Sequence, residues 1–534
     1  MGVAVAIANG TQRIAAARTR KLGRFMVELG QWDDPEFKHN VKHDAARRDR
    51  CRRAAAAVGL RLPRRATKTG LCHRGGNMAR KDTGDIAAGR LDAAQLARNF
   101  ADVSPPLDRR HALVEASRCH FCYDAPCIQA CPTLIDIPGF IRAISTDNLR
   151  GAADKILDAN VFGGQCARVC PTEILCEGEC VRNDPEDRPV AIGALQRYAT
   201  DWVIRDQVPM FTRAPDSGKR VAVVGAGPAG LSCAHALARA GHAVEVFEAR
   251  AKAGGLNEYG IAAYKVTDFA QREVDWLLAI GGIRIHHDQR LGRDVALSRL
   301  RREYDAVFLA MGLGGVNALG LPDESLPGVR DAVDFIAELR QAEDKATVPV
   351  GRRVVVIGGG NTAIDAAVQS KRLGAEFVTL VYRRGAEAMS ATDHEQAFAA
   401  SEGVHIVHYA RPSELLQRQG VLAGVRFEHT RVDGEGRVQG TGECFEIEAD
   451  LLLKAIGQTL LADGLREGGV ELLRLNQGRI AVDADFATSL AGVYAGGDCV
   501  GGKTDLTVQS VADGKHAATA IHAYLNADRE VQHG

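Results

Sequence analysis

The 534-residue chain balances 67 Lys and Arg against 67 Asp and Glu, with 46% hydrophobic and 25% charged residues, so it has the length for about three domains and the composition of a soluble protein. Zero formal net charge and the lack of an apolar run of about twenty residues make nucleic acid and membrane poor partners. Eight of the thirteen cysteines crowd between Cys119 and Cys180 with no signal-peptide apolar run ahead of them, which argues against a secreted disulfide scaffold and for a reducing cytoplasm.

Residues 1–77 form a basic, Ala- and Arg-rich extension, with RRDRCRR at Arg47 to Arg53. A basic arm on nucleic acid or an Arg-rich transit peptide would account for the composition, but the acids of QWDDPEF fit the second poorly. The bland account is a start codon assigned upstream of the true one at Met78; disorder or a private extension is the remaining reading. From 78 to 213 the apolar residues, among them Leu96, Phe100, Leu113, Val114, Phe140, Ile141 and Ile144, recur at helical spacing, which predicts a small α-helical domain holding the cysteines.

At Lys219 the texture changes to KRVAVVGAGPAGLSCAHALARAGHAVEVFEAR. A buried strand runs into Gly225, Gly227 and Gly230, then a helix, then a second strand ending at Glu248. This is the full setting of a dinucleotide site: glycines for the turn, the pyrophosphate approach and the helix packing, and an acid for a ribose. A second such unit, RRVVVIGGGNTAIDAAV, carries Gly358, Gly360, Asn361, Thr362 and Ala363. Its second strand ends in Arg383 and Arg384 rather than an acid, which permits a 2′-phosphate; Ser390 stands where another basic residue would help, so the reading favours NAD and leaves NADP open. Cys233, Cys444 and Cys499 read as packed residues, and His394, His405 and His408 lack metal-ligand spacing.

Gly254-Gly255-Leu256 after Glu248, DAVFLAMG ending at Gly312, and Gly496-Gly497-Asp498 near the C-terminus together resemble the flavoprotein disulfide-reductase-like fold, with FAD on the first glycine motif and NAD(P) on the second. That resemblance implies an α/β protein with two Rossmann-like domains, the NAD(P) domain at 323–448 inserted into an FAD domain at 214–322 and 449–534. The cysteines read CxxCxxxxCxxxCP and CxxxCPxxxxxCxxxC. On spacing alone structural zinc competes with iron–sulfur clusters, but the CxxxCP endings and the redox-nucleotide neighbours favour two [4Fe-4S] clusters.

Cysteine pattern, glycine motifs and their order resemble the N-terminal half of dihydropyrimidine dehydrogenase, and also the glutamate synthase small subunit, over nearly everything from Met78 onward. The first resemblance implies one cluster on Cys119, Cys122, Cys127 and Cys180, and a second on Cys131, Cys170, Cys176 and the amide of Gln196, with Cys166 left without an iron. An acidic residue would be expected at Gln196 in the glutamate synthase relatives, so the glutamine tilts the reading to pyrimidines. Since the chain ends after the flavin domain, the resemblance implies a separate NADH-oxidising subunit. It would pass electrons through FAD and two clusters to an FMN-containing, pyrimidine-reducing subunit in a hetero-oligomer. A zinc-stabilised flavoprotein scaffold without activity is the alternative of another class.

Overall fold

A computed structural model describes residues 85–86 and 91–531, apart from 468–469 and 502–503; the extension 1–77, Met78 and His533 lie outside the described residues. Short helices build the cysteine domain: Arg109–Ala116, Ile137–Ser145, Leu149–Ala159, Gly163–Val169 and Ile192–Arg205. Asp108, Asp136 and Asn148 cap the first three by accepting from backbone N–H groups three residues on. Their apolar faces meet in a core of Ile137, Phe140, Ile141, Ile144, Ile156 and Leu195, against which the cysteines pack. Val114, expected among the apolar helix positions, is exposed instead; Ala112 and Ala116 fill that face.

Two parallel sheets follow. The first orders its strands Val493–Ala495, Ala306–Leu309, Arg220–Val224, Ala243–Phe247 and Ile283–His286. Val221 to Val224 and Ala306 to Leu309 are buried throughout, as parallel strands covered by helices on both faces must be. Helix Pro228–Arg239 and the closing helix Thr507–Val531 lie against one another so tightly that a Cβ on Gly514 would sit 2.1 Å from the Ala229 carbonyl oxygen.

The second sheet orders His405–His408, Phe377–Tyr382, Arg353–Gly358, Leu451–Ala455 and Val329–Asp331. An antiparallel sheet of Ala410–Arg418, Val421–Val432 and Val438–Glu448 interrupts it. The two-Rossmann, inserted-domain fold therefore stands, with two corrections to the expected bounds. Leu451–Ala455 hydrogen-bonds to Arg353–Gly358, so the inserted domain runs past 448 to Ala455. Helix Ala93–Asn99, placed by sequence with the cysteine domain, buries Leu96 in the inserted domain's core and exchanges bonds with Arg372: Asn99 Nδ2 donates to the Arg372 carbonyl, and Arg372 Nη1 to that of Asn99, both at 2.7 Å. Cys444 is a third correction: it is exposed, on the outer face of its strand, while Phe445 beside it stacks inward on Phe427. Cys233 and Cys499 are fully buried. No helix among the described residues is long and apolar enough to cross a membrane.

Candidate functional site

The strand Arg220–Val224 ends in Gly225, whose φ of +101° and whose closeness to the Ala310 carbonyl leave no room for a side chain. The chain then turns through Gly227 into helix Pro228–Arg239, presenting the free N–H groups of its first turn. Gly255 (φ +55°) closes over this turn: a Cβ on it would lie 2.7 Å from Gly227 Cα. Two facing strips of bare backbone at a helix N-terminus make a cradle for a pyrophosphate. Glu248, buried at the end of Ala243–Phe247, accepts from Ala226 N and Arg250 N at 2.8 Å, one to each carboxylate oxygen, which fixes the group and leaves its other lone pairs for a ribose. Gly312 adopts φ +59° beyond the Ala306–Leu309 strand. Asp498 follows Gly497 in a one-turn helix at 497–499, and Ser510 Oγ donates to it at 3.0 Å; burial raises its pKa to about 6. The closing helix starts at Thr507 rather than directly after this turn.

A cleft of ≈ 1070 Å³ opens at the carboxyl ends of the strands, where ligands of open α/β sheets bind. Gly358, Gly360, Asn361, Thr362 and Arg383 line one side and Leu256 and Asp498 the other; Ala363 lies buried in the helix behind, and Arg384, half-buried, is not among the lining residues. Asn361 Oδ1 is buried without a partner, an acceptor waiting in the wall. Ser390 is also present, its hydroxyl 3.4 Å from the Gly359 carbonyl oxygen. Sequence reasoning missed Arg411 and Lys454 on this wall, and Pro171 and Ile174, which bring the cysteine domain to its edge.

Cys119, Cys122, Cys127 and Cys180 surround one small cavity. Phe121 N and Val190 N donate to the sulfurs of Cys119 and Cys180 at 3.4 and 3.5 Å. Cys170 neighbours Cys166, Cys176 and Cys131, and Cys176 neighbours Cys131 and Cys127. Burial pushes the Cys127 thiol up to about 12 and raises Cys119 and Cys176; the Cys166 thiol, then burial, raise Cys170. Buried thiols that resist ionisation need a cation to hold them as thiolates, which iron supplies. Among the described residues no three His, Cys, Asp or Glu side chains converge on one metal ion.

Gln196 lies buried in helix Ile192–Arg205, one turn from an N-terminus held by two carboxylates: Glu115 accepts from Ala191 N and Glu177 from Gly193 N, each at 2.9 Å. Its Nε2 donates to the Gly163 carbonyl at 2.7 Å, which leaves Oε1 as the end able to meet a metal. The structure thus sets Cys166 beside Cys170, and Gln196 on the helix packed against Gly163–Val169, which carries Cys166 and is capped by Cys170.

Residues 96–208 match a model described as dihydropyrimidine dehydrogenase domain II, 4Fe-4S cluster, and residues 219–514 one described as pyridine nucleotide-disulphide oxidoreductase. The chain belongs to the pyridine nucleotide-disulphide oxidoreductase family. It is an NAD(P)-dependent flavin and iron–sulfur oxidoreductase, with FAD and [4Fe-4S] clusters as its cofactors. The NAD-dependent dihydropyrimidine dehydrogenase subunit PreT of Salmonella typhimurium is 33% identical over 429 residues, 80% of this chain and 98% of that one. The glutamate synthase [NADPH] small chain of Halomonas elongata is 33% identical over 476 residues, 84% and 99% of the two. Among solved structures, FprA from Mycobacterium tuberculosis shares the fold, with a TM-score of 0.50 at 21% identity over 60% of this chain and 86% of that one.

Proposed function

We propose that this chain is the NADH-oxidising subunit of a two-component dihydropyrimidine dehydrogenase, working with an FMN-containing partner that reduces uracil or thymine. The observation that carries the reading is the order of the sites. Gly358 and Gly360 of the second glycine motif share one cleft with Leu256 and Asp498 of the flavin domain, and Pro171 and Ile174, which lie between Cys170 and Cys176 in sequence, close its edge. Cys119, Cys122, Cys127 and Cys180 surround a separate cavity and are all partly exposed. When bound, FAD turns the hydride's electron pair into single electrons that clusters relay.

The chain's own residues bind and orient. Gly227 and its helix take the pyrophosphate, Glu248 the ribose, and Arg383 the adenosine end of NAD(P). Cys119, Cys122, Cys127 and Cys180 hold one cluster; Cys131, Cys170, Cys176 and Gln196 hold the other. The glutamine, where an acid would suit a glutamate synthase subunit, supports the pyrimidine over the amide substrate.

The test is uracil-dependent NADH oxidation by the chain with and without its FMN partner. Activity is expected only with both, together with about eight irons per chain. Uracil reduction by the isolated chain would refute the reading. A second reading, the small chain of a glutamate synthase, is favoured by Arg383 on the cleft wall, which suits NADPH; glutamine- and 2-oxoglutarate-dependent oxidation with an amidotransferase partner would establish it instead.

A further inference from the structure

The antiparallel sheet inserted in the second Rossmann domain lines the large cleft with Arg411, Pro412 and Val438. The order of the parallel strands fixes what this wall meets. A dinucleotide whose pyrophosphate sits at the glycine turn after Arg353–Gly358 places its ribose over the end of the neighbouring strand Phe377–Tyr382, where Arg383 stands. The adenine then falls over the next strand, His405–His408, and Arg411 lies just beyond the end of that strand.

The two arginines differ in what holds them. Arg411 pairs with Glu428 across the sheet, and its Nε and Nη2 both donate to Glu428 Oε2, at 2.9 and 2.7 Å. Gly442 N donates to Glu428 Oε1 at 3.1 Å, so the carboxylate is itself pinned. The Arg411 side chain nevertheless stays 45% exposed. Arg383 is exposed, and no carboxylate pairs with it among the described residues. A guanidinium already matched by a carboxylate gains little from a phosphate, because the same carboxylate repels that phosphate. A guanidinium held flat and still is instead a platform for an aromatic base, through stacking and its attraction to the π face. Pro412 and Val438, from the same sheet, add apolar surface of the kind a purine buries against. We propose that Arg411, held by Glu428, binds the nicotinamide dinucleotide by stacking on its adenine, and that the ribose 2′ position is left to Arg383.

This rests on the second glycine motif being the nicotinamide site, and the experiment separates the two. The full chain, loaded with FAD, is titrated calorimetrically with NAD⁺ and with NADP⁺, neither of which oxidised flavin reduces. Wild type is compared with Arg411→Ala, Arg411→Lys and Arg383→Ala. Both Arg411 variants should bind both dinucleotides about tenfold more weakly, which is about 1.4 kcal/mol, because lysine keeps the charge and loses the plane. Arg383→Ala should weaken NADP⁺ alone. A merely structural Arg411 would lower the unfolding temperature of the dinucleotide-free chain and leave both affinities unchanged. NAD⁺ affinity within twofold of wild type in Arg411→Ala, recovery of binding by Arg411→Lys, or a loss confined to NADP⁺ overturns the proposal. A wild-type chain that binds neither dinucleotide would instead overturn the nicotinamide reading of the cleft.

Discussion

Glu273 ties the flavin domain to the cysteine domain, and its replacement gives the sharpest test of that joint. It lies on helix Phe269–Leu278, is 1% exposed, and accepts from Gly164 N at 2.8 Å and Gln165 N at 3.1 Å, in the first turn of the helix that bears Cys166 and ends before Cys170. Arg168 lies nearby but is shared: its guanidinium donates to Asp201 at 2.6 Å and stacks on Phe269. Burial outweighs these favourable contacts and raises the carboxyl from 4.5 to about 8. Between those values the unfolded chain has lost a proton that the folded chain retains, so stability falls as pH rises from about 4.5 and levels above about 8. The full linkage is about 3.5 pKa steps at ~1.36 kcal/mol each, a ceiling of about 5 kcal/mol that relaxation and water entry reduce to about 2–5. Glu273→Gln keeps an acceptor for both N–H groups and cannot ionise. Urea unfolding followed by far-UV circular dichroism should therefore show near parity with wild type at pH 4.5 and an advantage for the variant that grows to its maximum near pH 8. Parallel profiles for the two proteins across that range would refute the reasoning.

Other perturbations address the remaining joints and sites. Lys265→Met should destabilise the protein by about 3–5 kcal/mol in chemical unfolding, because it leaves Asp365 (2.9 Å) and Glu395 (2.7 Å) buried without their cation. A variant as stable as wild type would show that water already screens the trio. Gln196→Cys should lower the potential of one cluster in an EPR-monitored redox titration, since a thiolate puts more negative charge on its iron than an amide oxygen does; an unchanged titration would argue against ligation. Arg383→Ala should reduce kcat/KM about tenfold for NADPH and much less for NADH, through loss of a charge-assisted contact to the 2′-phosphate. An equal loss for both would place Arg383 elsewhere on the cofactor.

What was legible in the sequence was what the chain writes locally. Gly225, Gly227, Gly230 and Glu248 form one strand, turn, helix and strand, so their spacing carries their geometry. The cysteines were legible as a group, yet spacing could not sort them, because Cys127 neighbours Cys180 across the domain and Cys176 neighbours both Cys131 and Cys127. Residues that act across domains left no local trace. Glu273 meets Gly164 over 109 positions, and nothing near Glu273 in the chain suggests a helix to cap. The inserted domain's end was misplaced for a similar reason: the antiparallel sheet of 410–448 separates Leu451–Ala455 from the strands it joins. Cys444 was misread because a strand that packs on one face exposes every second residue, and the register pairs Cys444 with Glu428 on the outer face.

The missed residues share a character. Glu273 joins flavin and cysteine domains; Lys265 of the flavin domain joins Asp365 and Glu395 of the inserted one; Arg340 of the inserted domain donates to the Glu258 and Thr267 carbonyls of the flavin domain. Buried ionic and polar joints gain little stability over apolar packing, since desolvation offsets their attraction, but they admit few alternative geometries. An apolar interface tolerates sliding by an ångström; a lysine between two buried carboxylates does not. For the proposed relay of a hydride and then single electrons, fixed separations matter more than added stability, because a misplacement of about 1 Å can cost a hundredfold in rate. Lys265 is the decisive case, as it lies nine residues beyond Leu256 and grips the helix that begins at Asn361, and Leu256 and Asn361 line the same cleft. In the proposed arrangement the same contact sets how the two cofactor sites face each other, and loss of Lys265 should slow NADH oxidation, measured by stopped flow, even at temperatures where the variant remains folded.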